Sequence, residues 1–401
     1  MIDIIRAVIG ISLLLLLCWL LSSDRKNIKW RPVFIGLGIQ FSLAFLILGN
    51  GVGRLVLQKI SAGVTAVVQI SSTGAEFVFG SGYQEHFVAF TIPPTIIFLS
   101  TLMALLFHLG IIQVLVRGMA KLINLVLPVS GAESVAACAN VFIGNTEAPL
   151  MIKPYIPTMT RSEIMAMMVG GMATISGGML AVYVGMGIDP DYLITASIMS
   201  APASLMVAKI LLPETEVPKT ISNNTLHMKS QDVNIFQAMT RGATEGLILA
   251  ANVVAMLIAF ICIATLINMI LGLVPNVADA PLTLQRILGW LFAPLAFLIG
   301  ASWQESMQVG NLLGTKIFLG EFLAYNELIT ISDTLSEKSR AVATFALCGF
   351  SGLVAIGIQV GGISALVPER KDDIARTGFK SMLGGTLVTM LSATMAGLFI
   401  G

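Results

Sequence analysis

Residues 139–154 read Ala-Asn-Val-Phe-Ile-Gly-Asn-Thr-Glu-Ala-Pro-Leu-Met-Ile-Lys-Pro. In largely apolar surroundings, this stretch carries a carboxylate, two side-chain amides, a hydroxyl, a glycine and two prolines. It cannot cross lipid as an unbroken helix. Pro149 and Pro154 remove backbone donors, and Gly144 permits a bend. Broken backbone at membrane depth survives only where protein buries it or a water-filled cavity borders it. In secondary transporters, half-helices that meet at a polar break build the substrate and ion site. The stretch reads as the tip of such a site.

Composition agrees with a polytopic membrane protein. The 401 residues are 56% hydrophobic and 11% charged, less than half the usual charged fraction of a soluble domain. A net charge of +1 gives no sign of nucleic acid as a partner. Cys18, Cys138, Cys262 and Cys348 lie far apart, as do His86, His108 and His227, so neither a disulfide framework nor a metal-site spacing is visible. The 21 methionines read as core filling. The first apolar run, 4–22, lacks a strongly basic leader and is long enough to span a bilayer, so it is expected to be a retained transmembrane helix.

Further spans are expected at 32–50, 87–112, 161–187, 192–212, 243–273, 338–363 and 382–400. Residues 51–82 mix apolar residues with Arg54, Lys59, Gln69 and Glu76, and read as one or two amphipathic interfacial helices. Basic loops at 24–31 and around Arg370, Lys371, Arg376 and Lys380 are expected on the cytoplasmic side, which puts both termini outside. A second interrupted hairpin is expected at 287–325, its first arm giving way at Gly300-Ala301-Ser302-Trp303-Gln304-Glu305. An interrupted hairpin followed by two spans thus occurs twice, at 131–212 and 287–400. Each copy holds a carboxylate expected to be buried, Glu147 and Glu321. Two copies around a midplane site is the repeat logic of secondary transporters.

An isolated charge in a membrane core costs several kcal/mol, so both glutamates need polar partners. Three readings stay open for each: hydrogen bonding to a substrate, proton relay, or pairing with Lys153 or Lys316. Asn140 and Thr146 supply oxygens beside the break, and Ala173-Thr174-Ile175-Ser176-Gly177-Gly178 is a second oxygen-rich interruption. Such oxygens suit a hard monovalent cation, although small residues in membrane helices also serve as packing contacts.

Gly144-Asn145-Thr146-Glu147-Ala148-Pro149 resembles the Gly-Gln-Thr-Glu-Ser/Ala-Pro motif of the concentrative nucleoside transporters. Similar too are Ser200-Ala201-Pro202-Ala203-Ser204, Pro213-Glu214-Thr215-Glu216, Glu321-Phe322-Leu323-Ala324-Tyr325 and Ala346-Leu347-Cys348-Gly349-Phe350. The resemblance covers nearly the whole chain in order. It implies an all-α polytopic membrane protein with about eight transmembrane helices, two re-entrant hairpins and interfacial helices. These would form an inverted-repeat transport domain and a scaffold domain. The implied organisation is scaffold helices at 1–50, interfacial helices at 51–86, a third scaffold helix and connection at 87–125, and the first hairpin with two transport spans at 126–212. A polar linker follows at 213–236, then a long scaffold helix at 237–286, the second hairpin at 287–330 and the last two transport spans at 331–401.

The resemblance further implies a homotrimer of the inner membrane that imports nucleosides by elevator-type symport with sodium or protons, and no enzymatic activity. By this resemblance Asn145, Thr146 and Glu147 contact the nucleobase and Met179 lines its pocket. Glu321 contacts the ribose, with Phe350 and Ser351 nearby. Sodium, the coupling ion, would lie among Asn140, Ile143, Thr174 and Ile175. The sequence also departs from the family. Many members have Gly-Phe-Ala-Asn-Phe-Ser-Ser where this chain has Gly349-Phe350-Ser351-Gly352-Leu353-Val354-Ala355. The ribose-directed Asn and Ser are thus replaced by Gly352 and Ala355, and an Asn before the Glu-Phe pair by Gly320. Losing buried hydrogen-bond partners weakens a site's demand for a hydroxyl, which leaves a modified nucleoside or another sugar-like solute open as substrate.

Overall fold

The computed structural model describes residues 2–145, 147–220, 232–276 and 281–400. Thr146 and parts of the linker and long-helix segments (221–231 and 277–280) lie outside them. The described residues form helices and connections, with no strand among them.

The N-terminal part comprises α1 (Ile2–Leu20), α2 (Trp30–Ala44), α3 (Gly51–Phe79), α4 (Ile92–His108) and α5 (Ile111–Val126). The side chain of Asn50 accepts from the Val52 amide and starts α3 as one continuous helix, which ends at Gly80 with φ +82°. The first hairpin follows as α6 (Gly131–Ala139) and the single turn α7 (Ala148–Met151). A broken helix comes next, α8 (Arg161–Ala173) and α9 (Gly177–Gly185), and then α10 (Pro190–Leu211). After the linker runs the long α11 (Ile235–Leu271). The second unit holds α12 (Leu284–Ile299), α13 (Ser306–Leu319), α14 (Glu321–Ile331), the broken pair α15 (Glu337–Leu347) and α16 (Leu353–Leu366), and α17 (Lys371–Ala396). An amphipathic or apolar helix, a hairpin, a broken helix and a straight helix therefore recur in the same order.

Seven segments among the described residues are long and apolar enough to cross a membrane: Asp3–Leu20, Trp30–Gly49, Gly51–Phe79, Val88–His108, Arg161–Gly185, Pro190–Leu211 and Ile235–Leu271. Two sequence-derived spans fall outside this set for structural reasons. The segment expected at 338–363 is cut at Cys348–Gly352, which separates α15 from α16. Helix α17 is enclosed by α8, α10, α15 and α16, and it buries Thr377, Ser381, Thr386, Thr389, Ser392 and Thr394. A helix shielded from lipid by protein can be that polar. The second hairpin also differs from expectation. The 300–305 interruption is the turn between α12 and α13, whereas the tip lies at Gly320, where φ is +108°.

Capping fixes where the hairpins begin. Ser130 and Glu133 form a capping box at the start of α6, and Thr160 and Glu163 form another at α8, each satisfying otherwise orphaned amides. The two boxes are joined, because Ser130 Oγ donates to Glu163. Lys209, near the end of α10, closes the cluster with Nζ at 2.8 Å from Glu133 and 3.2 Å from Glu214. Helix α11 lies against α4 at very short range. A Cβ at Gly246 would sit 2.7 Å from the Ile97 Cα, and one at Gly242 would sit 2.8 Å from the Thr101 Cα. Small residues allow membrane helices this approach.

Candidate functional site

The two helix breaks meet. The Phe350 amide donates to the Thr174 carbonyl at 3.2 Å, so the unwound segment after α15 is hydrogen-bonded to the one after α8. Each hairpin tip then docks on the break of its own unit. The Gly177 amide donates to the Phe142 carbonyl at 3.1 Å, which seats the first tip. At the second tip a Cβ on Gly352 would lie 2.8 Å from the Lys316 carbonyl and 3.6 Å from the Gly320 Cα. Only a residue without a side chain permits that approach. Lys316 is buried, and its Nζ donates to the Ala346 carbonyl at 2.7 Å and to Thr389 Oγ1 at 2.9 Å. It therefore caps the end of α15 and forms no salt bridge with Glu321.

Two neighbouring cavities border these tips. One of about 430 Å³ is lined by Glu147, Ile143, Ser100, Ser176, Arg241 and Glu245, among others. The other, of about 100 Å³, is lined by Met179, Glu321, Phe350, Gly320, Gly352 and Ala355, among others. Leu249, Asn252 and Ile358 line both. A larger cavity of about 1010 Å³ between α2, α3, α4, α5, α9 and α10 is walled almost wholly by apolar side chains and contains neither glutamate.

Glu147 corrects an expectation of burial: it is exposed to the first cavity, because it sits in the turn before α7 and not inside a packed helix. Its Oε2 accepts from the Gly144 amide at 3.3 Å. Lys153 is exposed and makes no ion pair with it. Glu321 is buried as expected, at the first position of α14, and Tyr183 Oη donates to its Oε1 at 3.4 Å. Tyr183 stacks against Tyr325 with ring centroids 4.3 Å apart, and Tyr325 Oη donates to the Thr344 carbonyl at 2.9 Å. That aromatic wedge ties α9 to the second hairpin.

The remaining candidates fall into three positions. Met179 and Phe350 line the smaller cavity as apolar walls. Asn145 lies behind the tip, its Cβ against Gly171, with Nδ2 buried and unpartnered. Ser351 is fully buried, its Oγ is unpartnered, and its carbonyl accepts from Thr386 Oγ1 at 3.3 Å; it does not line either cavity.

The ion candidates lie just behind the first tip. Oδ1 and Nδ2 of Asn140 are both buried without a hydrogen-bond partner, a costly state for an amide. An unpaired buried oxygen of this kind fits a hard monovalent cation. Thr174 Oγ1 donates to the Gly170 carbonyl at 2.9 Å, which leaves its lone pairs free to accept. Ile143 and Ile175 are buried beside these residues in the two breaks.

Sequence reasoning gave no role to Tyr183, Gln359 or Arg241. Gln359 is the one amide of α16; it is fully buried, with Nε2 donating to the Met168 carbonyl at 3.0 Å and Oε1 unpartnered. An isolated amide in an apolar helix was the available signal. Arg241 is held by both oxygens of Asp232 and by Glu245, all at 2.9–3.0 Å.

Fold and site together define a multi-pass membrane protein of the transporter class, with paired half-helix tips around a polar cavity. The family described as "Na+ dependent nucleoside transporter C-terminus" matches residues 192–397, its N-terminal counterpart residues 9–82, and one described as "Nucleoside recognition" residues 89–189. Nucleoside permease NupC of Helicobacter pylori is 40% identical over 98% of this chain and 97% of its own length. Solute carrier family 28 member 3 of Homo sapiens is 37% identical over 97% of this chain, which spans 59% of that protein. A structure of CNTnw in an inward-facing substrate-bound state is 39% identical with a TM-score of 0.92, covering 99% of this chain and 98% of that one. A CNTnw double variant in an outward-facing state is 38% identical with a TM-score of 0.94, again over 99% and 98%. The chain belongs to the concentrative nucleoside transporter family, whose members are transporters and not enzymes.

Proposed function

We propose that this protein imports nucleosides across a bacterial inner membrane by sodium symport, as a homotrimer with elevator-type alternating access and both termini outside. The observation that carries this reading is the position of Glu147 and Glu321. They stand on two hairpin tips in adjoining cavities, with the unpartnered amide of Asn140 directly behind the first tip. A carboxylate accepts hydrogen bonds only, so Glu147 suits the N–H edge of a nucleobase and Glu321 the hydroxyls of a sugar. Phe350 and Met179 supply apolar walls for the remaining ring surface. Thr146 would complete the base side with Glu147, and Asn145, whose amide lies behind the tip here, would have to turn toward the cavity to join them.

Asn140, Ile143, Thr174 and Ile175 are the residues that would hold sodium, whose charge would favour the closed tip. Ile143 lines the Glu147 cavity, so ordering of the ion residues and ordering of the substrate wall are one event. That supplies the coupling. Outward-facing and inward-facing forms of CNTnw support alternating access by the same fold. Gly352 and Ala355 in the Glu321 cavity favour a second substrate reading, a nucleoside modified at the sugar or another sugar-like solute.

The test is uptake of labelled uridine and adenosine into proteoliposomes at fixed pH. Uptake driven by an inward sodium gradient and abolished without it is the expected result. Uptake indifferent to sodium but driven by an inward proton gradient would establish proton coupling instead, and the absence of any nucleoside uptake would reject the substrate class.

A further inference from the structure

Helix α11 crosses both cavities with a single face. Arg241, Glu245, Leu249, Asn252, Met256 and Phe260 recur at intervals of three and four residues and line one cavity or the other, as residues on one helical face do. Through 246–264 the helix is otherwise apolar apart from Cys262. Asn252 therefore places an amide within a stretch that packing and lipid exposure would leave hydrophobic. It forms no hydrogen bond or ion pair with protein among the described residues, it is exposed to the cavities, and it borders both of them. An amide at membrane depth with no protein partner is costly unless water or a ligand satisfies it.

The lining of the smaller cavity sharpens this. Among the described residues its polar side chains are Glu321 and Asn252, and the other lining residues are apolar or glycine. Glu321 enters from α14 and Asn252 from α11 on the other wall. The α16 side of the cavity offers Gly352, Val354, Ala355 and Ile358, none of which can hydrogen-bond through a side chain. A hydroxylated ligand in this space could give its protons to Glu321, but among the described lining residues only Asn252 carries a side-chain N–H to meet its oxygens.

We propose that Asn252 is a specificity-determining residue. Its amide donates to a sugar hydroxyl oxygen of the bound nucleoside, so that recognition of the sugar is shared between the second hairpin and α11. This rests on the nucleoside reading of the site. The amide stands in for polar groups that α16 does not supply.

The test pairs removal of the amide with removal of each hydroxyl. Affinities for uridine, its 2′-, 3′- and 5′-deoxy forms and adenosine are measured by calorimetry on the purified full-length protein in sodium, for wild type and Asn252→Leu. Asn252→Leu is expected to weaken uridine roughly 3- to 10-fold, the worth of one neutral hydrogen bond. One of the three deoxyuridines should bind with unchanged affinity, and the uridine-to-adenosine ratio should stay as in wild type. Equal weakening of all ligands, or no change in any, overturns the assignment. If Asn252→Leu is not folded, Asn252→Ser decides by the same ratios. Wild type that binds no nucleoside overturns the proposed function and this inference with it, whereas wild type that binds while the ratios do not move removes Asn252 alone.

Discussion

The Phe350 amide and the Thr174 carbonyl are joined at 3.2 Å, so the two helix breaks are one structural unit. Gly349 makes this possible. A Cβ there would lie 2.9 Å from the Met172 carbonyl oxygen and 3.0 Å from the Ala173 carbonyl carbon. Backbone cannot yield as a flexible side chain does. Gly349→Ala is expected to cost about 1–3 kcal/mol by overpacking, read as a lower thermal midpoint in detergent. An unchanged midpoint would show that the breaks can separate freely.

Gly352→Asn restores the residue that many family members carry, yet its Cβ would meet the Lys316 carbonyl at 2.8 Å. The substitution is expected to lower the thermal midpoint and to weaken nucleoside binding, because the second tip must lift from α16. Tighter ribose binding at undiminished stability would contradict that geometry.

Asn140→Ala removes two buried, unpartnered polar atoms. Deleting unsatisfied groups should leave stability without sodium equal or slightly raised. Stabilisation by added sodium should disappear, since a ligand stabilises only the state that binds it. A full sodium-induced shift in the variant would exclude Asn140 as an ion ligand.

Lys209 pairs with both Glu133 and Glu214, and Glu133 is only 1% exposed. Lys209→Met leaves that carboxylate uncompensated and is expected to cost about 3–5 kcal/mol. The double variant with Glu133→Gln should recover part of the loss. Additive losses in a thermal-unfolding cycle would contradict a coupled pair.

Glu305, in the turn between α12 and α13, gives a pH signature. Burial alone would raise its carboxyl. Hydrogen bonds from Ser339, Ser302 and Ser336 outweigh it and bring the pKa down to about 2. The folded value lies below the ordinary one near 4.5, so the stabilisation is complete above pH ~4.5 and is lost as pH falls toward 2. Glu305→Gln should flatten the dependence of the thermal midpoint on pH across that window. An acid limb identical to wild type would rule out this carboxylate as its source.

The fold was legible where the chemistry of the membrane leaves few options. Proline, glycine and polar residues crowded between Ala139 and Pro154 mark a break, and the break is there. The second tip was less legible because two interruptions occur in one segment. The sequence around Gly300 carries more polar residues than the tip at Gly320, where a single glycine with φ +108° makes the turn. Helix α17 looked like an ordinary span, but its serines and threonines face protein, a distinction hydropathy cannot make. At the site, Glu147 and Glu321 stood out as charges in apolar surroundings. Asn145 and Ser351 carry the right groups yet lie behind the cavity walls, which only packing decides. Tyr183 reaches Glu321, and Asn252 reaches the cavities, from helices far off in sequence, and spacing along the chain carries no trace of that.

The most direct measurement is thermal unfolding of purified wild type and Glu321→Gln with a panel of nucleosides, in sodium and in its absence. Uridine or adenosine should stabilise wild type only when sodium is present, while Glu321→Gln keeps the sodium shift and loses the nucleoside shift. Stabilisation by sodium with no response to any nucleoside, or an equal nucleoside response in Glu321→Gln, would contradict a nucleoside site built on the second hairpin.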